Sequence, residues 1–121
     1  MNVKFDNNIP IYIQLLDYVK TYIISGEIKP GEKLPSVREF ANIFTVNPNT
    51  MQKALIELES IGLIYTERTN GKYVTTNQKV IDKVKEEYAS KIVEDFYTNM
   101  KKIGINKNRR FNFGYQTELL W

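Results

Sequence analysis

Apolar residues recur at the helical spacing of three and four positions in several stretches of the sequence. The first stretch begins at Pro10, a residue that suits the first helical position because its missing N–H would be unpaired there anyway. It ends before Gly26, a residue type that commonly stops helices. Its apolar positions are Ile11, Ile13, Leu15, Leu16, Val19, Ile23 and Ile24. The pattern predicts an amphipathic first helix.

Two shorter helices are predicted after a Pro-Gly turn at residues 29–32 and a short extended piece at residues 33–34. Ser36 and Glu39 have the spacing of a capping box, and Asn47 followed by Pro48 predicts the next helix start. The inward positions are Val37, Phe40, Ala41 and Phe44 in the first of these helices and Met51, Ala54, Leu55, Leu58 and Ile61 in the second; we expect Ile43, Leu55, Leu58, Ile61 and Leu63 in the core. This is a helix-turn-helix pattern.

A β-hairpin and one long helix complete the prediction. Residues 63–66 and 72–75 are rich in β-branched and aromatic side chains, and the Asn70-Gly71 pair between them is a hairpin signal. After Asn77 an apolar stripe with helical spacing runs to Gly104; its members are Ile81, Val84, Tyr88, Ile92, Phe96, Met100 and Ile103. Residues 105–121 show no clear period, so the sequence does not predict their role.

Three helices followed by a hairpin is the element order of a winged helix-turn-helix. We therefore predict a mainly α fold with a small β-hairpin, in which residues 1–76 form a winged helix-turn-helix DNA-binding domain. Residues 77–121 would form a helical dimerisation region and tail. An isolated apolar stripe must be buried against something, and a second copy of the chain is the expected partner. The predicted dimer interface comprises Ile81, Val84, Tyr88, Ile92, Phe96 and Met100.

Composition narrows the possible functions. The 121-residue chain has no cysteine and no histidine, which excludes disulfides, thiolate chemistry, a Ser-His-Asp triad and a histidine zinc site. We expect no enzymatic activity, no metal and no cofactor, since a chain this short has little room for a substrate pocket. The absence of a membrane-length apolar run and of a signal-like N-terminus favours a cytoplasmic protein without membrane contact.

The net charge is +3, but residues 1–76 hold eight basic and eight acidic residues and are neutral. A DNA-binding domain of this composition must concentrate its cations on one face. The third helix offers hydrogen-bonding side chains of suitable length for base edges and phosphates, and Arg38 begins the second helix. The candidate residues on the third helix are Asn47, Asn49, Thr50, Gln52 and Lys53. Asn47 also fits a purely structural role, since asparagine is a common helix cap. The Asn70-Gly71 pair of the predicted hairpin likewise fits a purely structural role as a common turn.

Several motifs in the order and spacing of one family run from residue 9 to residue 76. They are PIYIQ at residues 10–14, SGEIKPGEKLPSVR at 25–38, VNPNTMQKAL at 46–55, ELESIGLIY at 57–65 and GKYV at 71–74. They resemble the GntR family of bacterial transcription regulators. The NPNT form at residues 47–50 and the short C-terminal region are similar to its YtrA branch, whose members are dimeric repressors, often of transporter operons.

The resemblance places Arg38, Asn47, Asn49, Thr50 and Gly71 at positions that the family uses at DNA. The sequence departs from other branches of the family at Pro48 and Gln52, where those branches carry arginines that read guanine. The DNA sequence specificity of those branches is therefore not transferred to this chain. The wing also departs at Thr69 and Lys72, which replace the more usual glycine and threonine. We expect Asn70, Gly71 and Lys72 to contact DNA from the wing.

Two functions from different classes follow from these observations. The first is a dimeric, sequence-specific repressor that binds a double-stranded, pseudo-palindromic operator. The alternative is a protein-interaction module on a winged-helix scaffold. The sequence contains no recognised ligand motif and identifies neither an operator nor a small-molecule effector.

Overall fold

The computed structural model describes residues 3–106 and two short C-terminal strands. It consists of two compact units, Met1–Lys85 and Glu86–Trp121. The elements are helices α1 (Ile11–Ile24), α2 (Val37–Phe44) and α3 (Pro48–Ser60), strands β1 (Ile64–Glu67) and β2 (Gly71–Val74), helix α4 (Gln78–Lys102), and strands β3 (Arg110–Asn112) and β4 (Glu118–Leu120). The mainly helical fold with a hairpin after the third helix is confirmed. The functional boundary after residue 76 stays a prediction; the division between the compact units falls within α4.

Side-chain caps fix the starts of the two helices of the helix-turn-helix. The Ser36 hydroxyl accepts a hydrogen bond from the Glu39 backbone N–H at 3.2 Å, and the Glu39 carboxylate accepts one from the Ser36 N–H at 3.4 Å. At α3 the Asn47 side chain accepts from the Asn49 N–H at 2.7 Å, with Pro48 at the first helical position. Each cap pairs an N–H that the helix itself leaves without a partner. Both predicted helix starts are confirmed.

The wing has three chain segments. Strands β1 and β2 pair antiparallel with Ile64 opposite Val74 and Thr66 opposite Lys72. The predicted extended piece near Lys33 is also confirmed, since it forms a bridge with Tyr73. On the outer side of β2, the Leu34 N–H donates to the Lys72 carbonyl and the Val74 N–H to the Glu32 carbonyl, each at 2.9 Å. The hairpin is therefore braced on its β2 edge, and its turn lies at residues 68–70.

The core of the N-terminal unit brings together residues from its helices, its wing and the start of α4. Its fully buried side chains include Leu15, Val19, Ile23, Phe40, Met51, Leu55, Leu58, Leu63, Ile64 and Val74. Ile81 and Val84 of α4 are only 3% and 8% exposed in the single chain. These two residues, assigned to the dimer interface from the sequence, therefore belong to the core of the N-terminal unit, and the interface stays a prediction for the residues beyond them.

Two isoleucines expected in the core lie at the surface instead. Ile43 is 47% exposed, because on the short helix α2 it lies about 100° around the axis from the centre of the face formed by the buried Phe40, Ala41 and Phe44. Ile61 is 43% exposed, since it caps α3 after the helical geometry has ended. Leu55, Leu58 and Leu63 are buried as predicted.

The turn between α2 and α3 contains backbone strain. Thr45 ends α2 in the left-handed conformation (φ 56°, ψ 50°), which a β-branched residue rarely adopts. Among the described non-glycine residues it alone has a positive φ. The helix-turn-helix therefore keeps a conformation that favours glycine at a position occupied by threonine.

Replacing Thr45 with glycine is expected to stabilise the protein by about 0.5–1 kcal/mol. Removing Cβ relieves roughly 1–2 kcal/mol of left-handed strain, partly offset by the larger entropy of glycine in the unfolded chain. Urea unfolding of Thr45→Gly beside wild type measures the difference. Thr69→Gly, an exposed turn threonine without a positive φ, is the matched control and should not stabilise. Equal effects of the two substitutions would contradict the strain explanation.

The described part of the second unit contains the remainder of α4 and two paired antiparallel strands. Strands β3 and β4 pair with Arg110 opposite Leu120 and Asn112 opposite Glu118. Along α4 beyond Lys85, apolar side chains remain accessible; Ile92 is 58% exposed, and Val93 and Tyr97 are also exposed, as is Ile103 directly after the helix. Among the helices in the described part of the chain, none combines the length and apolar character needed to cross a membrane.

Candidate nucleic-acid interface

Helix α3 buries one face and leaves the opposite face open. Met51, Ala54, Leu55 and Leu58 are buried, whereas Asn49, Lys53, Ile56 and Ser60 form an exposed row at spacings of four, three and four residues. The predicted candidates Thr50 and Gln52 are half-buried on either flank of that row. Helical periodicity thus explains why these polar candidates lie on or beside the accessible face of α3.

The exposed row also contains a residue that the sequence analysis did not select. Ile56 is 54% exposed and follows Asn49 and Lys53 on the same line. An apolar side chain on such a face suits contact with a thymine methyl group. The only signal in the sequence was its seven-residue distance from Asn49, which marks a shared helical face.

Lys53 has a partner within the protein. Its ammonium lies 3.7 Å from the centroid of the Tyr12 ring on α1, well within the range of a cation–π interaction. Tyr12 therefore orients the one basic side chain among the predicted α3 residues. Sequence reasoning missed this contact because it joins residues on two different helices that are 41 positions apart along the chain.

Arg38 and the wing tip lie at the ends of their elements. Arg38 is exposed at the second position of α2, next to the Ser36 cap. Asn70 and Gly71 are exposed at the hairpin turn, where Gly71 has φ +104°. A concavity of about 710 Å³ separates the wing tip from the start of α2. Its lining includes Lys33, Ser36, Val37, Asn70, Gly71 and Lys72, together with the carboxylates of Glu32 and Glu39.

Lys72 differs from the other wing candidates because its ammonium is hydrogen-bonded inside the unit. It donates to the Thr66 hydroxyl at 2.9 Å and to the Glu59 carboxylate at 3.3 Å. The Thr66 hydroxyl in turn donates to Glu59 at 2.6 Å. This hydrogen bond, followed by the nearby Lys72 ammonium, lowers the pKa of Glu59 despite some opposing desolvation. Glu59 was not predicted, since a carboxylate does not fit a DNA face.

Low pH is expected to weaken the interaction of the Glu59 carboxylate with Thr66 and Lys72. Because the pKa of Glu59 is lower in the folded protein than in the unfolded chain, its contribution to stability is complete above the ordinary glutamate range and is lost as the pH falls below it. The effect should be small, since Glu59 is 43% exposed and solvent screens the charge. Thermal unfolding of wild type and Glu59→Gln from about pH 6 to about pH 3 should show a wild-type advantage that disappears in acid. A difference independent of pH would contradict this prediction.

Comparison with known proteins identifies the family. Residues 11–74 match the family model described as bacterial regulatory proteins, gntR family. This chain belongs to the GntR family. Its relatives include the uncharacterized HTH-type transcriptional regulator YhcF of Bacillus subtilis, 36% identical over 107 residues that cover 88% of each chain. The HTH-type transcriptional repressor YtrA of the same organism is 40% identical over 98 residues, covering 76% of this chain and 75% of YtrA.

Solved structures of GntR-type proteins agree with the fold and with DNA as the partner. A GntR family transcriptional regulator from Listeria monocytogenes is similar with a TM-score of 0.82 and 44% identity, over 85% of this chain and 90% of that one. The AraR DNA-binding domain, solved in complex with operator ORR3, is similar with a TM-score of 0.53 and 31% identity, over 62% of this chain and 88% of that one. This GntR-family chain is a DNA-binding transcription regulator, and the expected resemblance to the YtrA branch is confirmed.

The described residues of this GntR-family protein contain no group of three or more His, Cys, Asp or Glu side chains arranged to hold a metal ion. The geometry of the N-terminal unit instead combines an exposed polar helix face, an exposed arginine on the preceding helix and a braced hairpin. These are the parts with which a winged helix-turn-helix reads base edges and phosphates.

Proposed function

We propose that the protein is a dimeric repressor that binds a pseudo-palindromic operator with two copies of α3. The observation that carries this proposal is the exposed row on α3, which presents Asn49 beside the half-buried Thr50 and Gln52. Amide and hydroxyl groups of this kind hydrogen-bond to base edges in the major groove, which is wide enough to admit a helix. Arg38 and the wing tip, at Asn70 and Gly71, would hold the neighbouring backbone. Repression is proposed from the YtrA relative, which is named a repressor.

Helix α4 supports the dimeric part of the proposal. After Ile81 and Val84 are covered, the remaining residues of the predicted dimer interface are Tyr88, Ile92, Phe96 and Met100, at successive spacings of four residues. Ile92 is exposed and the other three are half-buried in the single chain. A contiguous apolar face of this kind marks an interaction surface, and a second copy of the same helix would cover it. The revised interface proposal therefore begins at Tyr88.

Other parts of the proposal rest on the family. A regulator of this kind works on chromosomal DNA, so we propose a cytoplasmic protein without enzymatic activity. The resemblance to the YtrA branch favours a transporter-type operon as the target. No small-molecule effector forms part of the proposal.

Arg38→Ala is expected to weaken operator binding about tenfold while leaving the unfolding midpoint unchanged. The side chain is exposed beyond the Ser36 cap, so its loss removes a DNA contact without opening the core. Titrations of operator and scrambled duplexes identify the contact: equal weakening of both indicates a phosphate, and weakening of the operator alone indicates a base edge. Lys79→Ala, an exposed basic residue outside the proposed face, is the control. Wild-type affinity of Arg38→Ala for both duplexes would contradict the assignment.

The proposed function is tested by titrating the full chain with DNA at several salt concentrations. The probes are a duplex enriched from a randomised library and a scrambled duplex of the same length. Phosphate contacts release counterions, so the logarithm of the association constant should fall steeply and linearly with the logarithm of salt concentration. The enriched duplex should bind about a thousandfold or more tightly than the scrambled one. A weak salt dependence with equal affinity for both duplexes would favour the protein-interaction alternative.

A further inference from the structure

A three-membered polar cluster joins the end of α3 to both strands of the wing. Glu59 is the penultimate residue of α3, Thr66 lies on β1 and Lys72 lies on β2. One oxygen of the Glu59 carboxylate accepts from the Thr66 hydroxyl at 2.6 Å and from the Lys72 ammonium at 3.3 Å. The ammonium and the hydroxyl are themselves 2.9 Å apart. A single carboxylate oxygen thus connects the two wing strands to the helix that faces DNA.

Strand register explains why Lys72 turns inward. Lys72 is paired with Thr66, and Val74 is paired with Ile64, so all four side chains project from the same face of the hairpin. Ile64 and Val74 on that face are buried in the core. Lys72 therefore shares the core-facing side of the wing, whereas its neighbour Tyr73 lies on the other side.

The low accessibility of the Lys72 side chain argues against a role for Lys72 in binding a DNA phosphate. Its side chain is only 18% exposed, whereas Lys91 in the ion pair with Asp95 on α4 is 69% exposed. A lysine that binds phosphate acts as a hydrated point charge at the end of a flexible stem. In Lys72 the stem is covered and the ammonium is directed at α3, so reaching a phosphate would require breaking two hydrogen bonds.

We infer that Lys72 is a positioning residue and not a DNA ligand: with Thr66 and Glu59 it fixes the angle at which the wing meets α3. The inference rests on the proposed operator binding and replaces the expectation that Lys72 contacts DNA. Its consequence is geometric. Asn70 and Gly71 at the wing tip border the concavity whose opposite wall is the start of α2. Because the base of the wing is held to α3, the distance between the wing tip and α2 is fixed. Arg38 on α2 and the wing tip, which would hold the DNA backbone, therefore keep a fixed position relative to α3 in the major groove.

The test compares Lys72→Met, Glu59→Ala and the double variant in the full chain, with the enriched duplex as probe. Each single substitution should weaken binding about three- to tenfold, because the wing loses its anchor to α3. The double variant should bind no more weakly than the single variants, since both remove the same contact. The slope of affinity against salt should equal that of wild type in all three, because no phosphate contact is lost.

The phosphate-ligand alternative makes the opposite prediction. Lys72→Met would then lower the magnitude of the salt slope by about 0.9 for each lost phosphate contact, and by about twice that in a dimer. Glu59→Ala would leave binding unchanged or strengthen it by freeing the ammonium. Either result, or additive losses in the double variant, would overturn the inference. Lys91→Met is the matched control and should bind as wild type, since it removes a lysine from an ion pair outside the wing.

A further variant distinguishes loss of the polar cluster from a general loss of folding. Thr66→Val removes the hydroxyl while keeping the β-branched shape, and should weaken binding like Glu59→Ala at an unchanged salt slope. Thermal unfolding confirms that each variant is folded at the assay temperature. If wild type itself binds without sequence preference or salt dependence, the proposed function fails and the inference with it. If wild type behaves as proposed and only the slope of Lys72→Met changes, the inference alone fails.

Discussion

Ile92→Asp is expected to separate the dimer into monomers and to weaken operator binding about a hundredfold or more. Each copy would place an unpaired carboxylate in an apolar contact, at a cost of several kcal/mol, and every 1.4 kcal/mol changes an equilibrium constant tenfold. A monomer would engage one half-site instead of two. Analytical ultracentrifugation of variant and wild type, followed by titration with the enriched duplex, measures both effects. Phe96→Asp should act in the same way.

The control for this prediction is Ile13→Asp, which makes the same change at an exposed isoleucine on α1. It should leave the chain dimeric, because α1 is not part of the proposed interface. The proposal of an α4 dimer is contradicted if wild type is monomeric at micromolar concentration. It is equally contradicted if Ile92→Asp remains dimeric and binds DNA normally.

Asn49→Ala and Thr50→Ala are expected to reduce discrimination between operator and scrambled DNA. Each lost base contact should cost about 1–3 kcal/mol per half-site, and a dimer carries two copies of each residue. The loss should fall on the specific duplex, while binding to the scrambled duplex stays close to wild type. Competition titrations with both duplexes measure the ratio. Asn42→Ala, an exposed asparagine on α2, is the control; wild-type discrimination in both α3 variants would remove these residues from the DNA face.

The parts of the fold that depend on neighbouring residues could be predicted from the sequence. The cap at Ser36 needs only Glu39 three positions later, and the cap at Asn47 only the N–H groups that follow it. The hairpin is indicated by Asn70-Gly71 between two β-rich runs. The exposed polar face of α3 follows from the apolar residues opposite it. In each case the signal and the structure lie within a few positions of each other.

The parts that depend on tertiary packing could not be predicted in the same way. The exposure of Ile43 depends on the orientation of a short helix with little periodic signal. The burial of Ile81 and Val84 depends on how far the N-terminal unit extends along α4, which an amphipathic stripe does not encode. Strands β3 and β4 lie in a stretch without clear alternation.

The candidate site shows the same division. Which residues lie on the accessible face of α3 was visible from their spacing. The contacts of the two candidate lysines could not be predicted from spacing. Tyr12, which contacts Lys53, lies two helices earlier, and Glu59, which contacts Lys72, is thirteen residues away. Residue type alone marked both lysines as DNA contacts. Strand register and burial show that Lys72 lies on the core-facing side of the wing. Arg38, in contrast, is exposed on α2 and stays a candidate DNA contact.

Selection of DNA from a randomised duplex library by the full chain tests the central claim most directly. If two copies of α3 read a symmetric operator, the enriched sequences should contain an inverted repeat whose half-site centres lie about 10–10.5 base pairs, or a multiple of that, apart. Titration at concentrations far above the dissociation constant should then saturate at two chains per duplex. Enrichment of a single asymmetric site that saturates at one chain, or no enrichment over the starting library, would contradict the account.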